Sequence, residues 1–219
     1  MEHNTIKGAV LDLDGTLLDS MNVWHSIDME LAEKYNIPSP EHISNMAKKM
    51  TITEFAEFFV STFSLPVTPK DITDEVEQMM AYKYENSLPL KEGAEELLAG
   101  LDKMGIKYGI ATATYPALAK AAINRLGLDS KIQFILTESE LNTSKNEPYI
   151  YYEGAKRLGL GKRQVLIAED ALYSILTAKK AGFFTVGVYD SATPFEEWQQ
   201  ICANATISVK KLTDILKLI

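Results

Sequence analysis

The sequence predicts an α/β protein, a Rossmann-like doubly wound parallel sheet with an inserted all-helical cap domain, and three observations lead there. Short continuous apolar runs of strand length alternate with helical stretches from about residue 89 to the end. One further run of the same kind stands alone near the N-terminus. Between that run and the others lies a long segment whose apolar residues recur only at helical spacing.

The lone first run, Gly8–Leu13, is apolar throughout except at Asp12, as expected of a strand buried on both faces. The helical segment follows, from about Leu17 to Leu88. In it Trp24, Ile27, Leu31 and Tyr35 line one face, and Phe55, Phe58, Phe59 and Phe63 another. Thr68 followed by Pro69 reads as a cap and first turn for a further helix through Met79, Met80 and Tyr84. The other strands are expected at Ile106–Thr112, Phe134–Thr137, Val165–Ala168 and Phe184–Tyr189. Pro116 opens a helix between them, and Gly105, Gly127, Gly159 and Gly182 follow last apolar turns. Because the sheet partners of the first strand come after the helical block, residues 17–88 form an insertion and residues 1–16 and 89–219 form the core. Ligands of open parallel sheets bind beyond the carboxyl ends of the strands, so the cap is expected to cover the site.

Composition narrows the function classes. With 22 basic against 30 acidic side chains the formal charge is −8, which offers nothing to a nucleic-acid backbone or an anionic membrane. No secretory leader and no run of membrane-spanning length is read in the chain. Cys202 is the only cysteine, lies outside the expected site and is assigned no role. A cytoplasmic monomer is the expectation.

The strongest local signal is Asp12-Leu13-Asp14-Gly15-Thr16, directly after Ala9-Val10-Leu11. Two carboxylates two residues apart at a strand end share a face and repel each other unless a cation sits between them. Gly15 permits a sharp turn in which backbone N–H groups face an anion. One carboxylate is then suited to attack phosphorus and its neighbour to handle protons. Thr112 follows Gly109-Ile110-Ala111 and offers a hydroxyl to a phosphoryl oxygen. Glu169 and Asp170 follow Val165–Ala168 as hard oxygen ligands suited to magnesium, and Lys145 supplies a compact positive charge ahead of a helix. Singly, each has a structural reading as a strand-end cap, a helix N-terminal acid or a solvated charge. Their ordered occurrence at successive strand ends is what that reading explains poorly.

These residues resemble the four signatures of the haloacid dehalogenase superfamily, with Asp12–Thr16, Thr112, Lys145 and Glu169-Asp170 in order over essentially the whole chain. The helical insert is similar to the small cap of its phosphoglycolate-phosphatase-like and beta-phosphoglucomutase-like members. The resemblance implies a magnesium-dependent phosphatase acting on a small phosphorylated metabolite. Asp12 would be the nucleophile and Asp14 the acid and base. Thr112 and Lys145 would hold the phosphoryl oxygens. Magnesium would bridge Asp12, the backbone carbonyl of Asp14 and Asp170, with Glu169 as a further or outer ligand. Leu13, Gly15, Thr16, Ala113 and Trp24 are the implied substrate contacts.

The chain departs from the family pattern in places. Its third signature reads Ser144-Lys145-Asn146-Glu147-Pro148-Tyr149, without the acidic residue relatives carry at Tyr149, which loosens the expected orientation of Lys145. Ala171 and Ser174 stand where relatives have Ser and Gly. Trp24 takes the place of a mutase histidine, with His25 rotated by about 100 degrees from it on a helix, and Ile52 takes the place of a cap arginine. Hydrolysis is therefore expected ahead of a sugar-phosphate mutase, and a non-catalytic phospholigand-binding module is the reading from a different class.

Overall fold

The computed structural model describes residues 6–37 and 52–219, apart from the side chains of Trp24 and His25. The described residues divide into two compact units, a sheet unit that runs to Ser20 and resumes at Pro89, and an insert that begins at Met21 and ends at Leu88.

In the sheet unit six strands lie in the order β3-β2-β1-β4-β5-β6. They are β1 (Gly8–Leu11), β2 (Lys107–Thr112), β3 (Ile135–Thr137), β4 (Val165–Glu169), β5 (Phe184–Val188) and β6 (Ile207–Val209). Every neighbouring pair is parallel. The chain winds outward from β1 through β2 to β3, then returns to the other side of β1 at β4. The switch point, where such sheets hold their ligands, therefore lies between β1 and β4.

All four residues of β1 are buried, because both faces of the sheet are covered. On one face Val10, Ala111 and Ile167 share an apolar cluster with Ile150, Tyr151 and Ala178 from two helices packed there. A Cβ on Gly154 would stand 2.8 Å from Val10 Cγ2, so only glycine lets the first of those helices approach β1 this closely.

The insert contains α1 (Met21–Lys34), α2 (Ile52–Phe63) and α3 (Pro69–Asn86). Of the residues on its predicted faces, Ile27, Leu31, Phe55, Phe59, Met80 and Tyr84 are buried, while Tyr35, Phe63 and Met79 are part-buried. The Phe59 ring meets Phe55, Phe63 and Tyr35 at centroid distances of 5.3, 5.5 and 6.0 Å. Phe58 is only half-buried, since its neighbour Phe59 occupies the inward position. Thr68 caps α3 as expected. It accepts from the Asp71 N–H at 3.2 Å while Asp71 accepts from the Thr68 N–H at 2.8 Å.

The sheet unit adds α4 (Ala94–Lys103), α5 (Pro116–Arg125), α6 (Glu138–Leu141), α7 (Tyr149–Leu158), α8 (Leu172–Ala181) and α9 (Phe195–Asn204). Two features differ from the sequence reading. Residues 17–20 belong with the sheet unit, because Leu18 bridges Leu90 and the Lys91 N–H donates to the Leu17 carbonyl at 2.8 Å. Strand β6 is also additional. It has only three residues at the sheet edge, with Ser208 exposed, so it presents no apolar run. Among the described residues no helix is long and apolar enough to cross a membrane.

Candidate active site

Register brings the site together. Leu11 lies beside both Ile110 and Ala168, so β1, β2 and β4 end almost level and deliver Asp12, Thr112 and Glu169 to one edge. The Asp12 N–H donates to the Ala168 carbonyl at 3.0 Å, which extends the ladder one residue and fixes where the Asp12 carboxylate leaves the sheet. Lys145 arrives from the loop before α7. Its ammonium pairs with the Asp12 carboxylate and, at 2.8 Å, with Glu169 Oε1. The Tyr151 hydroxyl donates to the same Glu169 oxygen at 3.2 Å. Asp12, Glu169 and Asp170 each offer a carboxylate oxygen, and these oxygens all lie within 4.8 Å of one another.

This cluster is buried except at Asp170, which is part-exposed. Asp12 is 6%, Lys145 3% and Glu169 1% exposed. Burial and the neighbouring Glu169 hold the Asp12 carboxyl well above its usual range, with Lys145 pulling the other way. Burial and Glu169 likewise push Asp170 up to about 7, against Lys145 and Lys91. For Lys145 burial disfavours the charge, yet Asp12 and Glu169 outweigh it and keep the ammonium above its ordinary value. Asp12 and Glu169 share the one ammonium, and the part-exposed Asp170 carboxylate stands beside them, so acids outnumber the cation paired with them. Hard oxygen donors this close, with that surplus, are a donor set for a divalent cation.

Asp14 has a different environment. Its carboxylate accepts from the Thr114 hydroxyl, and the Thr114 N–H in turn donates to Thr112 Oγ1 at 3.0 Å. The sequence expects the Asp12 and Asp14 carboxylates to share a face. The Asp14 side chain is instead outside the three-carboxylate cluster and faces the β2 loop, because the period of two that would align it with Asp12 ends where β1 ends at Leu11.

The turn between them is closed by its own backbone. Gly15 has φ +78° and its N–H donates to the Leu18 carbonyl at 3.0 Å, so that group is spent inside the turn and does not face outward at an anion. A Cβ at position 15 would lie 2.2 Å from Asp170 Oδ2, so the glycine is also what makes room for that carboxylate. Leu13 is buried, and Thr16 is buried with a hydroxyl that has no partner. Ala113 is exposed beside Thr112. Trp24 belongs to α1, and its side chain lies outside the described residues.

The altered third signature is held by other means. The Lys145 N–H donates to Glu138 Oε1 at 2.6 Å, and the next carbonyl, of Asn146, accepts from Thr177 Oγ1 at 3.3 Å. Tyr149 is half-exposed at the start of α7 and takes no part. Thr114, Glu138 and Tyr151 were not singled out by the sequence reading. Thr114 could have been found as a second hydroxyl in Thr112-Ala113-Thr114. Glu138 sits seven residues from Lys145 in a run of helix-opening acids, which gave no sign of its partner.

Residues 9–188 match the family profile of haloacid dehalogenase-like hydrolases. Validoxylamine A 7'-phosphate phosphatase of Streptomyces hygroscopicus subsp. limoneus is 25% identical over 212 residues, 95% of each chain. Hexitol phosphatase A of Escherichia coli (strain K12) is 29% identical over 182 residues, 83% of this chain and 82% of that one. Among solved structures, a Thermotoga maritima protein described as a candidate beta-phosphoglucomutase superposes with a TM-score of 0.86 at 21% identity. The superposition covers 97% of this chain and 98% of that one, and it speaks to fold alone.

Proposed function

The chain belongs to the haloacid dehalogenase-like hydrolase family and is a phosphoric monoester hydrolase of it; from that premise we propose that it releases phosphate from a small phosphorylated carbohydrate through an aspartyl phosphate on Asp12. The observation that carries this reading is the buried pairing of Asp12 with Lys145 beside Glu169 and Asp170, at the switch point of the sheet. The carbohydrate class is supported by the relatives named for a hexitol phosphatase and a validoxylamine phosphate phosphatase.

The phosphoryl oxygens of the substrate are received by the Lys145 ammonium and the Thr112 hydroxyl, which has a proton to give because it accepts from the Thr114 N–H. The Asp12 carboxylate, whose ionised form Lys145 favours, attacks phosphorus in line with the ester oxygen. The Asp12 O–P bond forms as the ester P–O bond breaks, and Asp14 gives its proton to the departing alkoxide. Asp14, now ionised, takes a proton from water. The resulting hydroxide attacks phosphorus, breaks the bond to Asp12 and leaves inorganic phosphate, with both carboxyls restored.

The carboxylates fit magnesium: Asp12 and Asp170 would hold it, with Glu169 as a further or outer ligand, and the family resemblance adds the Asp14 backbone carbonyl. When bound it supplies positive charge against the charge that builds on the phosphoryl oxygens. Tyr151 and Lys145 keep Glu169 oriented toward the cluster.

The test is phosphate release from a panel of hexose, hexitol and cyclitol phosphates with magnesium. Release by the wild type and none by Asp12→Asn, with a phosphorylated Asp12 peptide trapped by acid quench, is the expected result. A protein that releases phosphate from none of them fails the reading.

A further inference from the structure

The turn that carries Asp14 and Gly15 is gripped from outside by a lysine that the reaction does not use. Lys91 lies on the segment leading into α4, where its N–H donates to the Leu17 carbonyl at 2.8 Å. Its side chain folds back over the same turn and donates to the Gly15 carbonyl. The third anchor is Asp190, at the carboxyl end of β5, whose Oδ2 accepts from the Lys91 ammonium at 2.7 Å. Asp190 is only 1% exposed, and its other oxygen accepts from the Ala192 N–H at 2.8 Å, so it is itself fixed.

We propose that Lys91 is a positioning residue for the cation-holding carboxylates, acting through the peptide of Gly15, with Asp190 as its counter-ion. Gly15 is the contact that transmits the effect, because its α-carbon is packed so tightly on Asp170 that even one added carbon would overlap Oδ2. Fixing the Gly15 carbonyl sets the room left for Asp170 and, one peptide earlier, the direction of the Asp14 carbonyl. The pair carries no net charge, so its contribution to the field at the cluster is small and its effect is one of placement.

The inference rests on the metal-dependent reading of the site, and its test separates the two. Lys91→Met, Asp190→Asn and the charge-neutral double variant are compared with wild type. Magnesium affinity is measured on the folded proteins by calorimetry, and kcat and KM with p-nitrophenyl phosphate. Lys91→Met and the double variant are expected to weaken magnesium binding and lower kcat about tenfold, as loss of an orienting contact does. Asp190→Asn keeps the bond to Gly15 and stays within about threefold of wild type. Equal losses in all three would mean that the ion pair only braces the fold, and unchanged magnesium affinity in Lys91→Met would equally overturn the proposal. A wild type that binds magnesium but turns over no phosphomonoester fails the proposed function and leaves the magnesium comparison to decide this one.

Discussion

The two carboxylates of Asp12-Leu13-Asp14 stand two residues apart and live in different chemical surroundings. Asp12 is buried and shares one ammonium with Glu169, and the Asp170 carboxylate lies close by without an ammonium of its own among the described ion pairs. Asp14 is partly open and accepts a neutral hydroxyl from Thr114. One half of the site is electrostatically unsatisfied and the other is content. The contrast suits the proposed division of labour, with Asp12 as nucleophile beside a cation site and Asp14 as the acid and base.

The sharpest way to break the contrast is to neutralise its unsatisfied half. Asp12→Asn is expected to lower kcat by at least about 10³-fold, as removal of a nucleophile does. In a thermal melt without magnesium it should raise Tm, because a buried repulsion disappears. Asp14→Asn should cost about 10²–10⁴-fold in kcat while leaving Tm unchanged, and the phosphorylated Asp12 peptide should accumulate in quenched reactions.

The cluster also titrates. Asp170 is pushed from 3.8 to about 7, so the folded state holds its proton more tightly than the unfolded chain. Its stabilising contribution is complete below the unfolded value and is lost as pH rises through about 7. Metal-free protein should therefore lose stability of the order of a few kcal/mol across that window, and magnesium should remove the dependence. Melts over pH with chelator and with magnesium chloride check it. The smallest effect is expected on the content side, where Thr114→Val should lower kcat about threefold to tenfold by releasing Asp14 from a single hydrogen bond.

Much of this was legible in the sequence because local order and global fold agree here. The five apolar runs became strands within two residues of their expected ends, and Thr68-Pro69 opened α3 as its chemistry requires. Asp12, Glu169 and Asp170 stand close together because parallel strands in register deliver their ends to one edge, and Lys145 reaches Asp12 and Glu169 from the loop before α7. The features that escaped are those whose partners are far away along the chain. Lys91 meets Gly15 and Asp190 across 76 and 99 residues, and nothing near Lys91 hints at either. The orientation of Lys145 was judged from Tyr149 four residues on, whereas the group that holds its backbone is Glu138 on the preceding strand's exit. Strand β6 was missed because an edge strand half open to water has no continuous apolar run to read.

Lys145 is committed to Asp12 and Glu169, so in the proposed reaction an arriving phosphoryl group would draw the ammonium away from two carboxylates. Inorganic phosphate presents the same oxygens as the substrate and leaves last. It should therefore act as a competitive product inhibitor, with the pace of sustained turnover governed by how quickly free phosphate is cleared from around the enzyme.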